Sequence, residues 1–314
     1  MPSFDAINYS LRPSKSIQRQ LVFDGAKKIQ SMLSLVDMAY VGFGSIWFTD
    51  FMLAHKVLSV SRSVSIEAHE IGFARAKFNA PYATVDVVHG QSSDVLPGLM
   101  QDADLKKRPW MIWLDYDFAL AESMVDDIRF VVEGAPKNSL FLITFSGLES
   151  KYGKPADRVT RLKELLGSVV PDDLSKEACK GDQLLKTLAD LTLAKMSSVA
   201  LGASRPGGFV QAFRIFYKDG TPMITIGGVL PAPNSTASIS ALTTSQEWSC
   251  QPQEMISAPH LTFKEAAALQ SKLPALQALT RDVVKELGFD LEDKQIAAFE
   301  QHYLRYPNFA QIVN

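Results

Sequence analysis

Residues 38–58 read MAYVGFGSIWFTDFMLAHKVL: an apolar run from Met38 to Phe43, a turn carrying Gly42 and Gly44, then apolar side chains at helical spacing from Ile46 to Leu58. Strand, glycine turn and helix in that order open an α/β unit, and the flanking sequence tells whether the unit repeats. It does. Downstream come a strand over Ser63 to Ile66, a helix over Ala68 to Phe78, a strand over Ala83 to Val88, a helix over Ser93 to Met100, a strand over Trp110 to Leu114, a helix over Leu120 to Val132 and a strand over Leu140 to Thr144. Five strands alternating with helices predict a doubly wound, mostly parallel sheet.

Upstream, Ile17, Leu21, Val22, Ala26, Ile29 and Leu33 recur at helical spacing over residues 16–34, with Ser14 or Ser16 as the expected N-cap. Past the fifth strand, two helical stretches, near Asp157 to Leu166 and Gln183 to Val199, fill an insertion at about 150–205. Two adjacent strands follow, Phe209 to Tyr217 and Pro222 to Val229. Lys218-Asp219-Gly220-Thr221 between them reads as a hairpin whose Asp-Gly pair takes positive φ, so the sheet is expected to end in an antiparallel pair. The Pro-, Ser- and Thr-rich stretch 229–246 reads as a loop and a domain edge. Helical patterns around Phe263 to Lys272, Leu276 to Leu287 and Glu292 to Leu304, with Gly288 as a stop, read as a cap on the core. The expected organisation is an N-terminal helical segment over 1–36, a core over 37–230, and a linker with a helical cap over 231–314.

The chain has 314 residues, 32 basic against 34 acidic, and 46% apolar residues. That is ample for a proper core, excludes a disordered or collagenous chain, and leaves no bulk polycation, so any nucleic-acid contact must be local. Cys179 and Cys250 lie far apart, which fits neither a zinc pair nor a disulfide framework and suits a reducing compartment. The start, MPSFDAINYSLRPSK, lacks the apolar stretch of a signal peptide, and no run is apolar enough to cross a bilayer. A soluble cytoplasmic protein is expected.

The chemistry-bearing residues cluster at predicted strand ends, where open α/β sheets bind ligands. Gly42-Phe43-Gly44-Ser45 allows close backbone approach to a ligand, though the third glycine of the dinucleotide pattern is replaced by Trp47. Glu67, ending the second strand, offers a carboxylate to a ribose diol; its alternative is an exposed acid at a helix start. Gly90-Gln91-Ser92 makes a polar turn after the third strand, where Gln91 can read an adenine edge and Ser92 or Ser93 can cap the next helix. The fourth strand runs into Asp115-Tyr116-Asp117, two carboxylates and a phenol. Asp115 or Asp117 is a candidate base; the plain alternative is Asp117 as a helix cap and Tyr116 as edge packing. His55 and His89 are isolated histidines near element ends.

In this order the elements resemble the class I S-adenosylmethionine-dependent methyltransferase fold, a Rossmann-like seven-stranded sheet ending with one reversed strand, over roughly residues 37–230. YVGFGSIWFTDF and WLDYD also resemble uncharacterised prokaryotic proteins labelled as O-methyltransferases. The resemblance implies S-adenosylmethionine as cofactor, with Gly42, Phe43, Gly44 and Ser45 at its methionine, Glu67 at its ribose, Gly90, Gln91 and Ser92 at its adenine, and Asp115, Tyr116 and Asp117 at the catalytic strand end. Tyr40 and Gln91 stand where the family usually has acids. The fifth strand ends in Thr144-Phe145-Ser146 rather than the Asp-Asn pair of metal-dependent catechol-type enzymes, so no obligate metal is expected. The Asp/Asn-Pro-Pro-Tyr/Phe and Pro-Cys signatures of DNA methylases are absent.

Arg12, Lys15, Arg19, Lys27 and Lys28 face only Asp24 between positions 11 and 30. This basic front end is the candidate contact for an anion or nucleic acid; its alternative is a solvated helix face. The leading expectation is methyl transfer to an oxygen or nitrogen nucleophile of an unspecified acceptor. The rival is a catalytically degenerate protein of the same fold that binds a nucleotide or nucleic-acid partner, in a prokaryotic defence assembly.

Overall fold

A computed structural model describes residues 12–307; the first eleven residues of the N-terminal segment and the last seven of the cap lie outside the described residues. Seven strands form one sheet in the order β3-β2-β1-β4-β5-β7-β6. They are β1 (Ala39–Gly42), β2 (Arg62–Glu67), β3 (Val85–His89), β4 (Trp110–Ala119), β5 (Ser139–Ser146), β6 (Val210–Lys218) and β7 (Pro222–Leu230). The first five pair in parallel, and β7 is antiparallel to both β5 and β6. The expected sheet with its reversed strand is therefore present. Because β7 alone is reversed, β6 points the same way as β1 to β5, and the β6–β7 turn sits at their carboxyl edge.

Helices α1 (Pro13–Met32), α2 (Thr49–Leu58), α3 (Glu70–Asn79), α4 (Ser92–Leu99), α5 (Glu122–Gly134), α6 (Arg158–Leu166) and α7 (Gly181–Gly202) precede the hairpin. After it come α8 (Thr236–Thr243), α9 (Phe263–Gln270), α10 (Arg281–Glu286) and α11 (Asp293–His302). The period-two alternation of β4 divides the core between the two sheet faces. Trp110, Ile112, Leu114 and Tyr116 join the layer under α4 to α7. Met111 and Trp113 join the opposite layer, where Ile17 of α1, Phe51 of α2, Ile239 of α8 and Phe299 of α11 pack together.

Several local expectations are corrected. The stretch 229–246 is not a plain loop, because α8 packs Ile239 into the core. Residues 250–256 then run along the outer edge of β6, where Ile256 N donates to Phe216 O and Lys218 N to Ile256 O. That contact covers a strand edge that would otherwise expose unpaired backbone. Strand β4 continues five residues past Leu114, with a register shift against β5 between Asp115 and Ala119. Neither Asp219 nor Gly220 takes positive φ. Asp219 contributes its side chain instead: its two carboxylate oxygens accept from Ser14 N and Lys15 N, each at 2.8 Å. The first turn of α1 is thus capped from across the chain, while Ser14 Oγ turns away to accept from Ala258 N at 3.0 Å.

The cap carries a pH-sensitive group. His302, the buried last residue of α11, has its pKa held down at about 4, chiefly by burial and secondarily by Arg305. The unfolded imidazole protonates near pH 6.5, about 2.5 units earlier. Stability from this residue is therefore complete above about pH 6.5 and is lost as pH falls towards 4, by about 2–3 kcal/mol. Urea midpoints at about pH 7.5 and pH 4.5 should differ less for His302→Phe than for the wild type; equal acid sensitivity of the two proteins would count against this assignment.

Candidate functional site

A cleft of about 870 Å³ lies over the carboxyl ends of the strands. Its floor is the turn after β1. A Cβ on Gly42 would come within 2.7 Å of Trp113 O, so this glycine permits the close approach of β1 to β4. Gly44 is enclosed by the Phe48 ring and Ser65 Oγ, to which Gly44 N donates at 3.0 Å. Ser45 and Phe48 both take left-handed backbone conformations, with φ 50° and 51°. That geometry delays the helix to Thr49, rather than Ile46 as the apolar spacing suggests. Ser45 Oγ is buried without a hydrogen-bond partner among the described residues.

Phe43, Gly44, Ser45, Glu67, Gly90, Gln91 and Ser92 all line the cleft, whereas Gly42 does not. Glu67 holds its own turn, accepting from His69 N at 2.9 Å. Gly90 sits at φ 150°, where a Cβ would press on Val95. Gln91 occupies the N-cap position of α4, and neither it nor a serine makes a side-chain cap there. Ser92 Oγ donates instead to Asp127 Oδ2 at 2.5 Å.

Asp115, Tyr116 and Asp117 also line the cleft but face different ways. Tyr116 is buried, packs edge-on to Phe43 and Phe118, and donates its hydroxyl to Asp127. Burial, followed by the Asp127 charge, raises its pKa well above that of a free phenol, so it is a poor source of phenolate. Asp117 is exposed at the mouth and does not cap α5, whose N-cap is Ala121.

Asp115 faces α1. Lys15 Nζ donates to Asp115 Oδ2 at 2.5 Å and to Tyr217 OH at 3.1 Å, and lies 5.2 Å from the centre of the Trp113 ring. Burial lowers the Lys15 pKa, with Asp115 the main opposing influence. Beside it, Arg19 Nε donates to Asp50 Oδ1 at 2.7 Å, Asp50 lying in the first turn of α2. Lys15 and Arg19 belong to the basic segment expected to contact an anion or a nucleic acid, with a solvated helix face as the alternative. Both are buried rather than solvated and, together with Arg12, line the cleft; Lys15 pairs with Asp115 and Arg19 with Asp50.

The profile of a family described as "Putative O-methyltransferase" matches residues 7–314. The chain belongs to this family. Solved structures are similar to the chain at low identity. The Trm1 complex with S-adenosyl-L-methionine from Pyrococcus horikoshii is 10% identical, with 76% of this chain and 61% of that chain covered and a TM-score of 0.48. An S-adenosylmethionine-dependent methyltransferase from Mesorhizobium loti is 12% identical, with 66% and 99% covered and a TM-score of 0.39. No curated protein matches the chain.

In this O-methyltransferase-family chain the cleft also gathers residues that strand-end reasoning missed: Asp50, His69, Tyr217, Asp219 and Lys151. Tyr217 and Asp219 reach it because β6 runs parallel to the first five strands, a consequence of topology rather than of any motif. Asp127, fully buried on α5, was missed as well. It ties the turn after β3 to β4 through Ser92 and Tyr116, and its Oδ1 has no partner among the described residues. Burial raises its pKa. Its signal was present in the sequence, since it lies three residues after Met124 and four before Val131 on the apolar stripe of the helix. His55 and His89 do not line the cleft; His55 Nδ1 meets Val60 O and His89 stacks on Phe73. Among the described residues no group of three or more His, Cys, Asp or Glu is arranged to hold a metal ion, and no helix is long and apolar enough to cross a membrane.

Proposed function

We propose that the chain transfers a methyl group from S-adenosylmethionine to an oxygen atom of an acceptor bound in the cleft. The observation that carries this reading is the convergence of the β1 turn, Glu67, the 90–92 turn and Asp115 on one concavity at the carboxyl edge of the sheet. The residues suit the cofactor. Ser45 Oγ is a buried polar atom with no partner among the described residues, shortly before the N-terminus of α2 where a carboxylate group is favoured. Glu67 offers acceptor oxygens to a ribose diol, and Gly90 with Gln91 gives a turn with both donor and acceptor for an adenine edge. The cofactor supplies a methyl group activated by a sulfonium.

The remaining work falls to the chain: excluding water, aligning the acceptor oxygen and taking its proton. Asp115, where the register of β4 against β5 begins to shift and with its side chain partly open to the cleft, takes that proton. Tyr116 and Asp127 hold the 90–92 turn against the strand end. Glu67→Ala should weaken binding of S-adenosylhomocysteine by about 1.5–3 kcal/mol through loss of hydrogen bonds to a charged group. Calorimetry reads that loss, and unchanged affinity in a folded variant would remove Glu67 from the site. Incubation with methyl-labelled cofactor and fractionated cell metabolites, RNA and protein tests the activity itself. Bound cofactor with no labelled product would favour the non-catalytic rival, whereas no cofactor binding at all would overturn the reading.

A further inference from the structure

The ion pair between Lys15 and Asp115, at the register shift of β4, is unevenly buried. Lys15 is almost wholly enclosed, its side chain 3% exposed, whereas the side chain of Asp115 is 21% exposed. Of the three N–H donors on the Lys15 ammonium, one meets Asp115 and one meets Tyr217. The third has no partner among the described residues, although Lys15 forms part of the cleft wall. The Trp113 and Tyr217 rings, 5.2 and 5.3 Å from Nζ, shield the charge from water and strengthen whatever it binds. Asp219 fixes the backbone that carries it by accepting from Lys15 N.

Building on the methyltransferase reading above, we propose that Lys15 is a catalytic residue that selects an acceptor with an acidic hydroxyl, a phenol or enol, by binding its oxygen as the anion. The proton of the acceptor O–H passes to Asp115, which becomes a neutral acid. The electron pair of that bond stays on the acceptor oxygen, and the Lys15 ammonium exchanges one anionic partner for another. Total charge in the cleft is unchanged by this step. One ion pair replaces another in the same dry wall, so the step needs no new isolated charge, which low-dielectric surroundings penalise heavily. The exchange is easiest for hydroxyls near the acidity of a phenol, about pKa 10, and is hard for simple alcohols, which hold their proton more tightly. An amine arriving as an ammonium is excluded by like charge from Lys15.

The test uses 4-nitrophenol and its neutral amine counterpart, 4-nitroaniline, as probes of the full-length protein saturated with S-adenosylhomocysteine. The ionised band of the phenol reports its protonation state when bound. Wild type should bind 4-nitrophenol as the anion at least tenfold more tightly than 4-nitroaniline. Lys15→Met should abolish that preference while S-adenosylhomocysteine affinity, read by calorimetry, stays within about twofold, and Lys15→Arg should restore part of the preference. Equal binding of the two probes by wild type, including no binding of either, would overturn the proposal without needing any variant. So would an anion preference that survives in Lys15→Met. Absence of S-adenosylhomocysteine binding to wild type would instead overturn the methyltransferase reading on which the proposal rests.

Discussion

Asp115→Asn is expected to lower methyl transfer by about 10²–10⁴-fold, the range ascribed to a positioned proton acceptor. The amide keeps the shape of the side chain but cannot take a proton from the acceptor, and it no longer balances the Lys15 charge. The same variant should lose about 3 kcal/mol of folding stability, because breaking a buried pair leaves an uncompensated ion whose desolvation is no longer offset. The two losses are separable. Single-turnover rates with labelled cofactor report the first, and urea unfolding reports the second. If the rate falls while S-adenosylhomocysteine still binds, proton transfer is the affected step. A rate within threefold of wild type would remove Asp115 from that role. Combining Asp115→Asn with Lys15→Met should recover stability but not rate, since no buried charge is then left over.

Arg19→Met is the second large effect, and here the loss is structural. Asp50 is buried in the first turn of α2, and Arg19 Nε is its hydrogen-bonded cation at 2.7 Å. Losing that partner should cost about 3 kcal/mol, tempered by the favourable interaction of a carboxylate with a helix N-terminus. Adding Asp50→Leu to Arg19→Met should return most of it, because an apolar pair of similar volume can replace a buried ion pair. Denaturant midpoints of the single and double variants decide the matter. A double variant no more stable than Arg19→Met would mean that the pair is not what holds α1 to α2.

The sheet was legible because its determinants are local. Alternating strands and helices with glycine turns fix a parallel sheet, and a four-residue polar turn between two apolar runs fixes the reversed strand. Most elements fell within a few residues of expectation, but β4 runs on to Ala119 and the helix expected from Leu276 begins only at Arg281; elsewhere tertiary contacts overrode periodicity. Ile46 to Phe48 have helical spacing, but the left-handed Ser45 and Phe48 postpone α2. The 229–246 stretch has a loop-like composition, yet Ile239 docks in the core and stabilises a helix there. For the candidate site, strand ends pointed to Asp115 and to the 90–92 turn, since topology alone delivers them to the carboxyl edge. The part played by Lys15 was not legible. Its charge suggested an anion contact or a solvated helix face, and only the packing of α1 across the sheet reveals that its partners are Asp115 and Tyr217, 100 and 202 positions away.

The Asp219 cap has a temporal consequence. Helix α1 is synthesised well before its partners: the carboxylate that satisfies its first turn is made more than 200 residues later, as is Ala258, which Ser14 Oγ holds. The lysine that faces the cleft is therefore translated long before the residues that hold it and reaches its final place only after they emerge. A nascent chain stalled before the hairpin emerges should already pair β1 with β4 yet leave α1 sensitive to protease.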